Sequence, residues 1–249
     1  MKVSVCVDAI YNGKDFIKSV NELVQNGIKE IEFWSWWDKD IESILKVQQE
    51  KDIKIVAFCT KFISLTDENK RDEFIKGLKE SIAIAKRIGC NMLIAQVGEE
   101  LKSISREAQH TSIVNGLKAC APILEEANIK LVFEPLNTLV DHKGYYLYSS
   151  YEAFTIVDEV NSENIKVLFD IYHQQIMEGN IIATITKNIT KIGHFHGAGI
   201  PNRHELNSGE LNYVNIFNAI DRLGYNGYVG LEYFPIESPL KGIKNTTSK

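Results

Sequence analysis

A chain of 249 residues can bury one large core, and α/β barrels of this size are commonly single domains. Lys and Arg number 28 against 33 Asp and Glu, a net charge of −5, and no basic run exceeds two residues. The basic footprint of a nucleic-acid binder is therefore missing, and no apolar run approaches the roughly 20 residues of a membrane-spanning helix. A hydrophobic fraction of 44% with 24% charged residues matches an ordinary globular protein.

The chain opens on VSVCVD, where Val3, Val5 and Val7 alternate with small residues; this reads as a first strand and not as a signal peptide. A helix follows from about Lys14 to Gln25, stopped by Gly27. IEFW at 31–34 is a second strand, and Asp38 is placed to cap a helix carrying Ile41, Ile44, Leu45 and Val47. IKIVAFC at 53–59 is continuously apolar, as in a strand buried on both faces. A long helix from about Glu68 to Ile88 and a fourth strand, NMLIAQV, come next. A helix near 107–127 then contains Pro122, which is expected to bend or break it.

IKLVFEP is the fifth strand. The loop after it, LNTLVDHKGYYLYS, exceeds the usual βα connection and is expected to cover a site. Ser149 and Glu152 form a capping-box pattern for YEAFTIVDEV. IKVLFD, a helix reaching about Asn188, KIGHFH, the helix YVNIFNAIDRL and YVGLEYF complete the chain before a polar end from about 239. Eight strands alternating with helices imply a parallel sheet with right-handed crossovers. At this length they predict one closed (β/α)8 TIM barrel over 1–249. An open doubly wound sheet would call for a G-x-G-x-x-G turn after an early strand, and none is present. Cys6, Cys59, Cys90 and Cys120 lack any C-x-x-C spacing and read as buried reduced thiols of a cytoplasmic protein.

Four of the apolar runs end in Glu134, Asp170, His196 and Glu232, spaced by 36, 26 and 36 residues. Burying such groups is costly unless they are paired or ligate a cation, and a barrel gathers its strand ends on one rim. Three carboxylates and one imidazole form an oxygen-rich donor set that suits Mg2+, Mn2+ or Co2+ better than structural zinc. Such a shell carries surplus negative charge, which His173 or Arg203 could offset; His173, just past Asp170, could also reach a substrate oxygen. A lone strand-end Asp is often only a helix cap, but four tips on four strands favour a joint metal site. His194 is expected on the face opposite to His196, in a structural role, and His110, His142 and His204 at the surface or in support. Phe33, Trp34, Trp36 and Trp37 read as core or interface, with a sugar-stacking role open to one of them. Gly197, Gly199 and Gly209 are expected to allow tight turns around Arg203.

FDIYHQQIMEGN and IGHFHGAGIPNRHELNSGELNY, together with FEPLN, VDHKGYYL and GYNGYVGLEY, resemble the hydroxypyruvate isomerase family of the xylose-isomerase-like barrels. The likeness is detailed over the C-terminal half and a matter of pattern elsewhere. It implies Glu134 and Glu232 as the acid/base pair, Glu134, Asp170, His196 and Glu232 as ligands of one Mn2+ or Mg2+ ion, and substrate contacts from His173 and Arg203. It also implies a homo-oligomer, dimer or tetramer. Hydroxypyruvate isomerases tend to carry an amide where this chain has His196, and ketose 3-epimerases carry His; the spacing from His196 to Arg203 follows the isomerases.

The residues themselves suit the interconversion of a small hydroxy-carbonyl compound or sugar through an enediolate. A dication stabilises the two oxygens as a Lewis acid, and two carboxylates move the proton. A ketose 3-epimerase, or a dehydratase of the same superfamily, would share the first step. An endonuclease IV-like activity would call for more histidines and a basic groove. A non-catalytic sugar-binding barrel is disfavoured by the presence of both glutamates.

Overall fold

The computed structural model describes residues 1–247. Each apolar run forms a short parallel strand: β1 (Lys2–Cys6), β2 (Glu30–Phe33), β3 (Lys54–Cys59), β4 (Met92–Ala95), β5 (Lys130–Phe133), β6 (Ile165–Asp170), β7 (Ile192–Gly197) and β8 (Tyr228–Leu231). Each strand pairs with the next, and β8 pairs with β1 to close the barrel. Around it lie α1 (Val7–Ile10), α2 (Phe16–Gln25), α3 (Ile41–Lys51), α4 (Arg71–Arg87), α5 (Arg106–Ala127), α6 (Ser150–Val160), α7 (Ile171–Met177), α8 (Ile181–Asn188), α9 (Tyr213–Arg222) and α10 (Pro239–Thr247).

Strand alternation splits the core into two parts. Outward residues such as Ile31, Phe58, Phe133, Phe169 and Phe195 pack beneath the helices in the large cluster. Inward residues Ala57, Cys59, Ile94, Val132 and Leu168 form a small second cluster inside the barrel. That inner cluster comes from β3 to β6. Across the barrel, β7, β1 and β2 contribute the buried polar residues His194, His196, Ser4 and Glu32, while β8 contributes Gly230. A Cβ on Gly230 would lie 2.5 Å from the His196 ring and 2.9 Å from a Glu32 oxygen, so the absence of a side chain on β8 makes room for that pair.

Several expectations are corrected. The cap of α3 is Asp40, whose carboxylate accepts from the amides of Glu42 and Ser43, whereas Asp38 accepts from Ser35. α5 is not broken at Pro122 and continues as one helix of 22 residues; its tertiary contacts outweigh the missing N–H. The helix expected up to Asn188 is two, α7 and α8, separated at Gly179 and Asn180, both at positive φ. The polar end from about 239 is helix α10, which buries Ile243. Ser149 does cap α6, but Glu152 points to Arg106, His110 and Tyr146 instead of closing the box. The four cysteines are buried and free, and no helix among the described residues is long and apolar enough to cross a membrane.

Candidate active site

Parity along the strands builds the site. Glu134 follows inward Val132 by two residues and Asp170 follows Leu168 by two. His196 follows His194 and Glu232 follows Gly230 in the same way. Each of these side chains thus turns to the barrel axis at the C-terminal rim. Asp170 stands level with His196, and His196 with Gly230, so that Glu232 lies two residues further along the chain toward the rim. The ligand atoms of Glu134, Asp170, His173 and Glu232 all lie within 4.8 Å of one another, and all four residues are buried.

Asp170 fills two roles. Its Oδ1 caps α7 by accepting from the amides of Tyr172 (2.8 Å) and His173 (3.3 Å), and its Oδ2 is left without a hydrogen bond. Glu134 Oε1, His173 Nε2 and His196 Nδ1 are likewise buried without hydrogen-bond partners. His196 Nδ1 lies 3.4 Å from Glu232 Oε2. Orphaned buried atoms of this kind are costly, and a divalent cation would satisfy the two carboxylate oxygens; the imidazole within 4.8 Å of all three carboxylates is that of His173, while His196, expected as the fourth ligand, reaches the group beside Glu232. The donor set is oxygen-rich with one nitrogen, so the residues present fit a metal such as Mg2+ or Mn2+.

Glu232 is the most tightly held of the group. It accepts from the Trp34 indole at 2.6 Å and from the Arg203 guanidinium, and Arg203 Nε also donates to its backbone carbonyl at 3.2 Å. Burial would raise its pKa, but Arg203 and His196 outweigh that and hold the carboxyl well below the usual range. Glu134 lacks such partners. Burial and the charge of Glu232 push its carboxyl well above the ordinary value, and burial raises Asp170 to about 6. The two glutamates are thus pushed in opposite directions by their surroundings.

His194 is corrected: two residues from His196, it shares the inward face. Its Nε2 lies 2.9 Å from Glu32 Oε1, and His196 Nε2 lies 2.9 Å from Glu32 Oε2. Ser4 also donates to Oε1. Burial alone would raise the Glu32 carboxyl, yet the two imidazoles hold it well below its usual range. With the carboxylate accepting at Nε2, His196 presents Nδ1 to the rim. Glu32, His194 and His196 could themselves be read as a ligand set, but Glu32 is already satisfied by three donors.

The site opens into a cavity of about 220 Å3 lined by Trp34, Cys59, Phe62, Gln96, Leu136 and His142 along with the polar cluster. A larger groove of about 430 Å3 beside Leu211 and Tyr213 gathers no comparable polar set. The loop after β5 supplies Leu136 and His142 to the wall, which agrees with its expected covering role. Trp34 reaches the site through its N–H, while Trp36 packs against the large core cluster and Trp37 stands edge-on to Trp36 and Phe62. His110 pairs with Glu152 and Glu159, and His204 with the Phe234 carbonyl; neither lines the cavity. Gly199 and Gly209 sit where a Cβ would meet the carbonyls of Glu205 and Ile200 at 2.4 and 2.1 Å; that close approach shapes the loop carrying Arg203.

Sequence reasoning missed Glu32, Trp34 as a partner of Glu232, and Asn137, which contacts His173. Only Glu32 left a signal, a charge inside the apolar run IEFW.

A closed parallel barrel with a carboxylate and imidazole cluster on its C-terminal rim defines an enzyme of the sugar-isomerase barrel type. Residues 20–246 match the family described as Xylose isomerase-like TIM barrel, and the chain belongs to that family. The hydroxypyruvate isomerase of Escherichia coli (strain K12) is 30% identical over 253 residues, an alignment covering 98% of this chain and 97% of the relative. The 2-oxo-tetronate isomerase of Haemophilus influenzae is 25% identical, with 97% of this chain and 96% of the relative covered. The crystal structure of AP endonuclease, family 2, from Brucella melitensis superimposes with a TM-score of 0.93 at 26% identity, covering 100% of both chains. With isomerases related over its whole length, the chain is an isomerase of this family.

Proposed function

We propose that this protein is a metal-dependent isomerase that interconverts a small hydroxy-carbonyl acid, hydroxypyruvate or a four-carbon 2-oxo acid, through an enediolate. Glu134 and Glu232 transfer the proton. The observation that carries this reading is the convergence of two glutamates of opposite electrostatic character on one buried rim. Kinship with hydroxypyruvate and 2-oxo-tetronate isomerases over the whole chain supports the substrate class. A cavity of about 220 Å3, below the roughly 300–1,000 Å3 of drug-sized sites, suits a compound of a few carbons. The four free thiols suit a reducing compartment, the cytoplasm.

Glu134, Asp170, His196 through Nδ1, and Glu232 would hold one Mn2+ or Mg2+ ion. Bound there, it would supply Lewis-acid stabilisation of two adjacent substrate oxygens. Glu232, kept ionised by Arg203 and His196, is ready to accept a proton from carbon. Glu134 is the second carboxylate at the rim: the proton taken from one carbon returns to the neighbouring carbon through one or other glutamate, while the hydroxyl proton passes between the two substrate oxygens. Arg203 balances the surplus carboxylate charge and faces the cavity, where a substrate carboxylate would meet it. Phe62, Leu136 and Ile94 on the wall keep water from the reacting carbons.

His196 gives specific support to a second reading, a ketose 3-epimerase, which shares the first proton transfer and differs in returning the proton to the same carbon. Carbon-bound hydrogen exchange in D2O, followed by NMR with Mg2+ over hydroxypyruvate, tartronate semialdehyde, 2-oxo-tetronate and C4 to C6 ketoses, tests both. Metal-dependent exchange is expected in a small hydroxy-carbonyl acid, falling by about 10²–10⁴-fold in Glu134→Gln and Glu232→Gln. Near-normal rates in both variants would sink the glutamate mechanism. Exchange confined to ketoses would turn the assignment to epimerisation.

A further inference from the structure

Two histidines face the same cluster, and their buried partners give them different tasks. The task of His173 is set by a residue outside the cluster, Asn137, which is fully buried. The Asn137 side-chain oxygen accepts the backbone N–H groups of Val140 and Asp141, both at 3.0 Å. Those partners can only donate, so the orientation of the amide is determined. Its NH2 group must therefore be the end that lies 2.7 Å from His173 Nδ1 and 2.6 Å from Asp141 Oδ2. The Asp141 carboxylate, which also receives the Tyr172 hydroxyl at 2.9 Å, takes one amide hydrogen, and the other is left for the imidazole. A protonated Nδ1 would confront that hydrogen with its own. Nδ1 is thus an acceptor, and the ring proton sits on Nε2, the atom that points into the cluster 3.5 Å from Asp170 Oδ2.

We infer that Asn137 is a positioning residue that holds His173 in the Nε2–H tautomer, as a hydrogen-bond donor to a substrate oxygen and not as a metal ligand. His196 is turned the other way round: its Nε2–H is spent on Glu32, and its Nδ1 faces the site as the nitrogen a cation would take. One imidazole would offer a cation its lone pair, and the other offers a proton to the same small space. Distance alone would count His173 among four ligands, but an Nε2 that carries a proton has no lone pair for a cation. The tautomer follows from the hydrogen bonds whatever the reaction; only the donation to substrate rests on the isomerase reading.

The test is 15N NMR of the histidine rings in the metal-free full-length protein, with His173 assigned by the signal lost in His173→Gln. The expected pattern is a protonated Nε2 and an unprotonated Nδ1 at His173. A protonated Nδ1 in the wild type overturns the inference with no variant needed. The paired substitution Asn137→Asp with Asp141→Asn exchanges carboxylate and amide while keeping charge and volume. It should move the proton to Nδ1 and lower kcat/KM at least about tenfold, with no weakening of Mn2+ binding. A moved proton with unchanged kcat/KM would overturn the donor role, as would a Mn2+ affinity that falls in step with His173→Gln. Absence of hydrogen exchange in every substrate would count against the isomerase reading alone, because the ring pattern is read without turnover.

Discussion

Glu32 shows how a residue that touches neither cavity nor substrate can govern the donor set. Its two oxygens accept from His194 and His196, and it is the bond to His196 that turns Nδ1 of that ring to the rim. A glutamine here could offer an amide N–H to Nε2 and reverse the tautomer. Glu32→Gln should therefore weaken Mn2+ binding by about 10–100-fold, as measured by titration calorimetry on the unliganded protein; an unchanged dissociation constant would reject this role. The tips Glu134, Asp170, His196 and Glu232 were legible because each ends an apolar run, where a charge is costly without a purpose. Glu32 lies within its run, so its purpose depended on which strands stand opposite. The error over His194 was one of parity: residues two apart in a strand share a face.

At the scale of elements, α5 and α6 are joined by a polar contact in which His110 bridges Glu152 and Glu159. Burial would lower the His110 pKa, but the two glutamates outweigh it and the net shift is upward. A raised folded pKa means that the stabilisation is complete below the unfolded value of about 6.5 and is lost as pH rises through the folded one. Urea midpoints of wild type and His110→Gln should thus differ more near about pH 5.5 than near about pH 9, and a gap that does not narrow with rising pH would refute the pairing. Most elements were legible from periodicity and caps. The exceptions have local causes. Asp38 and Asp40 are equally good caps by composition, and the geometry of the β2–α3 turn selects the second. Gly179 and Asn180 divide α7 from α8 because both adopt positive φ, a turn that the apolar spacing on either side conceals.

For the whole molecule, the rim buries one oxygen of Glu134 and one of Asp170 without partners beside Glu232, so a cation that binds only the folded chain should stabilise it. At a hundred times its dissociation constant the gain is about 2.7 kcal/mol, or roughly 5–10 °C in Tm for a chain of this size. Differential scanning calorimetry with Mn2+ or Mg2+, set against EDTA-treated protein, checks it. Asp170→Asn should reduce the increment, and an equal increment in that variant would place the ion elsewhere.

The sequence alone was enough for the barrel and its four tips, because the alternation of apolar runs with amphipathic segments leaves few ways to bury them, and a charge ending such a run announces itself. The closure of β8 on β1 brought Glu32 of the neighbouring β2 to Gly230 and His196, and the loop after β5 folded back to place Asn137 against His173. These decisions belong to the tertiary structure. A hydrogen bond assigns a proton to one nitrogen or the other only when both partners are in place, and partners separated by 36 residues, or by 164, have no spacing in the chain that foretells it.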